Sequence, residues 1–182
     1  MSRISLIAVV VFSAVMLAAP AMAQKIVVVD IDRAIAMSKA GQNMNSQLEA
    51  MSKDVQKKVD KIKKDLQSEA DKLEEQKSLI APDALNVKRE ELRVKSIGRQ
   101  QEISSEARGI QAGGQNALKE IAEVAVAELK SLAQEVKADV VLRRESALIV
   151  EPGSDITDAL TARIDKKITS VKVTPVKEEA KK

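Results

Sequence analysis

An eleven-residue repeat of apolar side chains, which extends from Met44 to Val136, limits the possible folds of this sequence more than any other feature. In its first half, apolar residues recur at steps of three and four, and most residues between them are polar or charged. This spacing is typical of a thin amphipathic helix that is solvated on most sides. The period gives about 3.67 residues per turn, which favours nearly straight pairing or a slight right-handed supercoil. The first predicted seam consists of Leu48, Met51, Val55, Val59, Ile62, Leu66, Ala70 and Leu73.

A second run continues the repeat from Leu92 to Val136, although Ser96 and Arg99 occupy seam positions near its start. A fold-back at residues 81–83, around Pro82, would place the two seams against each other. We therefore predict a long antiparallel helical hairpin, loosely packed at its tip and better packed at its root.

Four glycines interrupt the second helix, and each costs about 0.5–1 kcal/mol relative to alanine in a helix interior. They are Gly98, Gly109, Gly113 and Gly114. The adjacent pair Gly113 and Gly114 is predicted to lie opposite Leu48, and we interpret it as a hinge. The alternative is that small residues only allow close approach of the helices.

Short elements on both sides of the hairpin are predicted to form a small body. The β-branched run Ile26–Val29 indicates a buried strand, followed by a short helix over 31–37 and a break at Gly41. Two further strands are predicted within 138–143 and 147–150, as a hairpin or as neighbours, followed by a helix that Ser154 or Asp155 can cap.

The predicted fold class is therefore mostly α with a small β body, from which the hairpin projects. Residues 24–43 and 113–168 form the body, residues 44–112 form the arm, and residues 169–182 form a disordered tail. Because the strands contain few apolar residues, the core of the body would be only marginally stable in a monomer. We therefore expect the body to be a site of oligomerisation. The candidate body residues are Val27, Val29, Val140, Leu142, Leu148 and Val150.

The first 23 residues have the pattern of a secretory signal peptide. Arg3 precedes an apolar run over 4–18, and the small-x-small sequence of residues 21–23 predicts cleavage after Ala23. An uncleaved membrane anchor is the weaker alternative, because the apolar run is shorter than the roughly 20 residues that span a bilayer.

The composition argues against several kinds of function. The sequence has no Cys and no His, and its single aromatic residue, Phe12, lies in the predicted signal peptide. Thiolate metal sites, His-based catalysis and aromatic stacking on single-stranded bases are therefore excluded. We expect no catalytic residues, no cofactor, no metal and no nucleic-acid partner, and we interpret the carboxylates Asp30, Asp32, Asp155 and Asp158 as helix-start residues.

Two segments of the body resemble the OmpH/Skp family of periplasmic chaperones. They are residues 26–41, which include Asp30 followed by Asp32-Arg33-Ala34-Ile35, and residues 138–160, which include Ser154-Asp155-Ile156-Thr157-Asp158. The resemblance implies a homotrimer in the periplasm, with strands from three subunits in the body and helical arms around a cavity. It also implies ATP-independent holding of unfolded outer-membrane β-barrel proteins in that cavity.

The candidate client-binding residues are of two kinds. Apolar residues off the seam are Val87, Val94 and Ile97, and a basic run supplies Lys57, Lys58, Lys61 and Lys64. A solvated helix face is the simpler interpretation of the lysines. Because residues 71–99 contain seven basic and six acidic residues, contact with a membrane surface or lipopolysaccharide is at most peripheral. The alternative function is a structural coiled-coil adaptor of the cell envelope.

Overall fold

The chain is mostly helical, and the computed structural model describes residues 24–177. The predicted signal peptide and residues 178–182 of the predicted tail lie outside the described residues. In chain order the elements are β1 (Ile26–Val29), α1 (Ile31–Met37), α2 (Lys39–Glu75), α3 (Pro82–Glu135), β2 (Val140–Arg143) and α4 (Thr157–Lys167), with short 3-10 turns at Arg144–Ser146 and Pro152–Ser154.

Helices α2 and α3 pack side by side, and residues 76–81 connect them. All eight predicted seam positions of α2 are half-buried, and most residues between them are exposed. Ion pairs between Lys58 and Glu106 and between Lys95 and Glu69 join the two helices. In α3 the predicted erosion of the seam is also present, since Ser96 and Arg99 are exposed.

The two strands form a parallel sheet in which Ile26 pairs with Val140 and Val29 with Arg143. The strand predicted at 147–150 was wrong. After β2 the chain turns at Arg144–Ser146, and Leu148 and Ile149 are almost fully exposed. The prediction assumed that β2 pairs with its sequence neighbour, whereas β2 pairs with the distant β1, of which Val27–Val29 are buried.

Gly41 does not break the chain as predicted, because it lies in the first turns of α2. A Cβ atom at Gly41 would lie 2.0 Å from the carbonyl oxygen of Ile35. The glycine therefore allows α2 to cross close to α1. Ser38 joins the two helices: its hydroxyl donates to the Ile35 carbonyl at 2.7 Å and accepts from the Gly41 amide at 3.0 Å.

The core lies where α4 packs against α1 and the second half of α3. Ile121, Leu160 and Ile164 are completely buried there, and Val27 and Val29 of β1 belong to the same cluster. Burial of each such side chain stabilises the fold by about 1.5–3 kcal/mol.

Residues 169–177 differ from the disordered tail that we predicted. This segment is extended and packs on α2 and α3, with Val171 and Val173 buried. Gln47 of α2 forms hydrogen bonds with the backbone of both valines. The charged residues at the end of the chain suggested a solvated segment, but two apolar residues at a spacing of two bury one side of it.

Candidate functional site

Val87 and Val94 form an exposed apolar patch on α3 near the loop that joins it to α2. They are seven residues apart, and their exposed fractions are 59% and 57%. This spacing places both on one side of a helix. Glu90, Glu91 and Lys95 border the patch, so it is a small apolar surface with a charged rim.

Ile97 follows Val94 by three residues, so it lies next to the patch on the same helix. It also lines a groove between the two helices, together with Leu66, Ala70 and Leu92. The three apolar residues predicted for client contact are all exposed, with Ile97 at 44%.

The predicted lysines also divide into groups. Lys58 and Lys61 line a charged groove between α2 and α3, whose other basic residues are Lys72, Lys95 and Arg99. Asp65, Glu69 and Glu102 line the same groove, so basic residues outnumber acidic ones by five to three. The groove is therefore weakly positive.

Lys58 is held within the helix pair by its hydrogen bond with the Glu106 carboxylate, which raises the pKa of the lysine. Lys57 pairs with Asp54 on its own helix at 3.0 Å. Among the described residues, Lys61 and Lys64 have no ion-pair partner within 4 Å. These two ammonium groups are the better candidates for contact with an acidic ligand.

Gly113 and Gly114 lie inside α3, and both have close packing partners. A Cβ atom at Gly114 would lie 3.1 Å from Cδ2 of Leu48, which confirms the predicted position of this glycine opposite Leu48. At Gly113 it would lie 2.3 Å from the carbonyl oxygen of Thr174. These contacts support the alternative reading of close packing, and the hinge stays a prediction.

The predicted body residues differ in their exposure. Val27 and Val29 are buried in the core of the single chain, whereas Val140 and Leu142 are 37% and 38% exposed and Leu148 is fully exposed. Val150 is half-buried. Val140, Leu142 and Leu148 are therefore the members of this set that are available to a second subunit.

Carboxylates near two helix starts accept hydrogen bonds from backbone amides, and Asp30 is the N-cap of α1, whereas Asp155 lies one residue before the N-cap Ile156 of α4. Asp30 accepts a hydrogen bond from the Arg33 amide at 2.8 Å, and Asp155 accepts one from the Thr157 amide at 2.9 Å. Hydrogen bonding from Thr157 lowers the pKa of Asp155, and the nearby Arg144 guanidinium contributes to the same shift. Both carboxylates therefore form hydrogen bonds with residues close to them in the sequence.

Within residues 24–177, no cluster of three or more acidic side chains could hold a metal ion. None of the helices in this part of the chain is long and apolar enough to cross a membrane.

Three features were not singled out from the sequence. Ile149 is 90% exposed beside Leu148, Val126 is 59% exposed on α3, and Gly109 packs against the carbonyl oxygen of Val176. The four-residue spacing of Gly109 and Gly113 was a signal for a segment lying across α3. Val126 directly follows the buried seam residue Ala125, so its position off the seam was the signal for its exposure.

Two comparisons with known proteins give a match, one to a solved structure and one to a family model. A crystal structure of a candidate OmpH-like outer membrane chaperone from Caulobacter crescentus has a TM-score of 0.80 against this chain at 24% identity, and the match covers 86% of this chain and 92% of that one. No curated protein matches the chain in sequence. The model of the family described as "Outer membrane protein (OmpH-like)" matches residues 25–164. Because this match spans well over half of the sequence, the chain belongs to the OmpH-like family.

Proposed function

We propose that this protein is an ATP-independent holding chaperone of the periplasm, which binds unfolded outer-membrane β-barrel proteins and keeps them from aggregating. The observation that carries the proposal is the exposed apolar patch of Val87 and Val94, on an arm of the OmpH-like fold. Export by a signal peptide cleaved after Ala23 would bring the protein to such clients.

The apolar patches suit weak binding of many different chains. Each exposed valine can bury only a small area, and apolar contact contributes about 25 cal/mol per Å² removed from water. Contacts of this size are individually weak, do not depend on direction, and add up along an unfolded chain. Exposed apolar residues at Val87, Val94 and Ile97 would therefore hold a client without selecting one sequence.

The lysines add long-range attraction. Lys61 and Lys64, together with the weakly positive groove, would speed the encounter with acidic clients, and this effect would weaken as salt is added. Binding by apolar contact would remain at high salt. Measuring binding at low and at high salt would therefore separate the electrostatic encounter, which salt weakens, from holding by apolar contact, which remains.

Subunit assembly is part of the proposal. Among the described residues, β1 is paired on both sides, with β2 and through the bridge between Val28 and Asp155, where the N–H of Ile156 donates to the Val28 carbonyl at 3.0 Å. The outer edge of the sheet is therefore β2, whose Val140 and Leu142 are exposed. We infer that these surfaces meet in a homo-oligomer, a trimer by resemblance to the family, in which the arms surround a cavity.

The test is to dilute a urea-unfolded outer-membrane β-barrel protein into buffer without nucleotide, with and without an excess of the mature chain, and to follow light scattering. We expect suppressed scattering for the wild type. The double variant Val87→Ser, Val94→Ser should suppress it less, because the apolar patch is lost.

Val126→Ser is the matched control, since Val126 has the same exposed fraction as Val87 and lies on the same helix. It should hold the client as well as the wild type does. If the β-barrel protein aggregates equally with and without the wild-type chain, the chaperone proposal is wrong and the coiled-coil adaptor is favoured.

A further inference from the structure

The extended segment of residues 171–176, here named the strap, lies on the root of the helix pair. It follows α4, from which residues 168–170 separate it, and the family match ends before it, at residue 164. Val171 and Val173 are 6% and 2% exposed, whereas Lys172 and Thr174 between and after them are exposed. The strap therefore presents alternate residues to the helices, as a β-strand does.

The side chain of Gln47 in α2 forms hydrogen bonds with backbone atoms of the strap. The side-chain amide nitrogen donates to the carbonyl oxygen of Val171 at 2.7 Å, and the amide oxygen accepts from the N–H of Val173 at 3.1 Å. One side-chain amide thus satisfies a donor and an acceptor of an extended chain, the pair that a neighbouring strand would satisfy in a sheet.

Two glycines of α3 make room for the strap. A Cβ atom would lie 2.4 Å from the carbonyl oxygen of Val176 at Gly109 and 2.3 Å from that of Thr174 at Gly113. Real Cβ atoms do not approach so closely. In addition, the N–H of Val176 donates to the carbonyl oxygen of Gly109 at 2.9 Å.

The spacings of the helix and the strap match. Four helical residues, from Gly109 to Gly113, rise about 6 Å. Two residues of extended chain, from Thr174 to Val176, rise about 6.6 Å. Successive carbonyl oxygens on one side of the strap can therefore meet successive glycines on one side of α3.

We propose that Gln47, Gly109 and Gly113 form a docking groove for an extended peptide backbone, and that the strap is its intramolecular ligand, which ties the root of the helix pair to α4. The groove contacts backbone atoms of the strap at all three of these residues, so these contacts select the backbone conformation, and burial of Val171 and Val173 favours apolar residues at these two alternate positions. Attachment to α4 gives the strap a high effective concentration at the groove. The inference rests on packing and is independent of the chaperone proposal.

The test is hydrogen exchange of the Val173 and Val176 amides in the full chain. Both amides should be protected in the wild type. Gly113→Ala places a methyl group against the Thr174 carbonyl, and Gln47→Ala removes the clamp from α2. We expect each variant to accelerate exchange of these amides by at least about tenfold, since a lost hydrogen bond and a displaced segment raise the open population.

Gly98→Ala is the matched control, because nothing lies within 4 Å of a Cβ atom at that glycine of the same helix. In this variant the amides of Val173 and Val176 should exchange at the wild-type rate. Helical circular dichroism distinguishes strap release from misfolding, because release leaves the helix content unchanged. Wild-type exchange rates in both Gly113→Ala and Gln47→Ala would overturn the proposal.

A spin label supplies a second readout. The sequence has no cysteine, so Lys177→Cys takes a single label next to the strap. The label should be restricted in the otherwise wild-type chain and mobile after Gly113→Ala. A label equally mobile in both chains would also overturn the proposal.

Discussion

Glycines of this chain have different roles, which their surroundings determine. Gly41, Gly109 and Gly113 each lie against a backbone carbonyl, Gly114 faces the flexible side chain of Leu48, and Gly98 faces open space. Only the first three require the absence of a side chain. Helix propensity alone treats all five alike.

This difference predicts opposite effects of the same substitution. Gly41→Ala should lower the free energy of unfolding by about 1–3 kcal/mol or more, because the Cβ atom would overlap the Ile35 carbonyl and push α1 away from α2. Gly98→Ala should raise it by about 0.5–1 kcal/mol, because alanine is the better helix former. Urea unfolding measures both, and a stabilising Gly41→Ala would contradict the observed crossing.

At the scale of elements, the chain combines a thin helix pair with a compact body. Along α2 the seam is only half-buried, whereas α3 has fully buried residues where it meets α4. Most of the apolar stabilisation is therefore located in the body, where α4 packs against α1 and α3.

Substitution of Leu160 tests whether most of the apolar stabilisation is in the body, since Leu160 is completely buried where α4 packs against its neighbours. Leu160→Ala should lower the free energy of unfolding by about 2–5 kcal/mol, through lost burial and the cavity that remains. Leu118→Ala is the control, because Leu118 lies on α3 with 43% exposure. Equal losses in the two variants would place the main stabilising contacts elsewhere.

Patterns within one element predicted the fold well, and contacts between distant elements were harder to predict. The strand β1 and the seam of α2 were predicted from the local spacing of apolar residues, and a fold-back was predicted around Pro82, which the structure places at the first position of α3. Pairing of β2 with β1 depends on residues more than a hundred positions apart, so a neighbouring strand was predicted in its place.

The strap and Gly41 show the same limit. Glycine can end a helix or allow another backbone to approach, and the sequence around Gly41 does not distinguish the two. Alternation of Val171 and Val173 was visible, but the groove that buries them consists of residues on α2 and α3. Of the candidate site, the exposure of Val87, Val94 and Ile97 was predictable from their positions off the seam. The groove between the helices that Ile97 also lines was not, because Leu66 and Ala70 of that groove belong to the other helix.

At the scale of the whole molecule, the single chain leaves apolar surface uncovered on the body. Leu148 and Ile149 are 103% and 90% exposed, and Ile26 at the edge of the sheet is 47% exposed. Adjacent exposed residues of this size are a common mark of a protein interface.

We therefore expect light scattering to give the mass of an oligomer, and the double variant Leu148→Ser, Ile149→Ser to lower that mass. Leu79→Ser is the control, since Leu79 is 81% exposed in the loop between α2 and α3. A monomer mass for the wild type would rule out a shared body.

We expect the assembled chain to hold unfolded β-barrel proteins in solution, and its composition allows a direct measurement of this holding. The sequence has no Trp and no Tyr, so absorption by these residues reports only the client. The measurement is sedimentation of a Trp-containing outer-membrane β-barrel protein, diluted from urea into the mature chain without nucleotide and followed by that absorption. We expect one soluble boundary that sediments faster than the client alone and contains all the client absorption. Client absorption lost to the pellet, as in buffer without the chain, would contradict it.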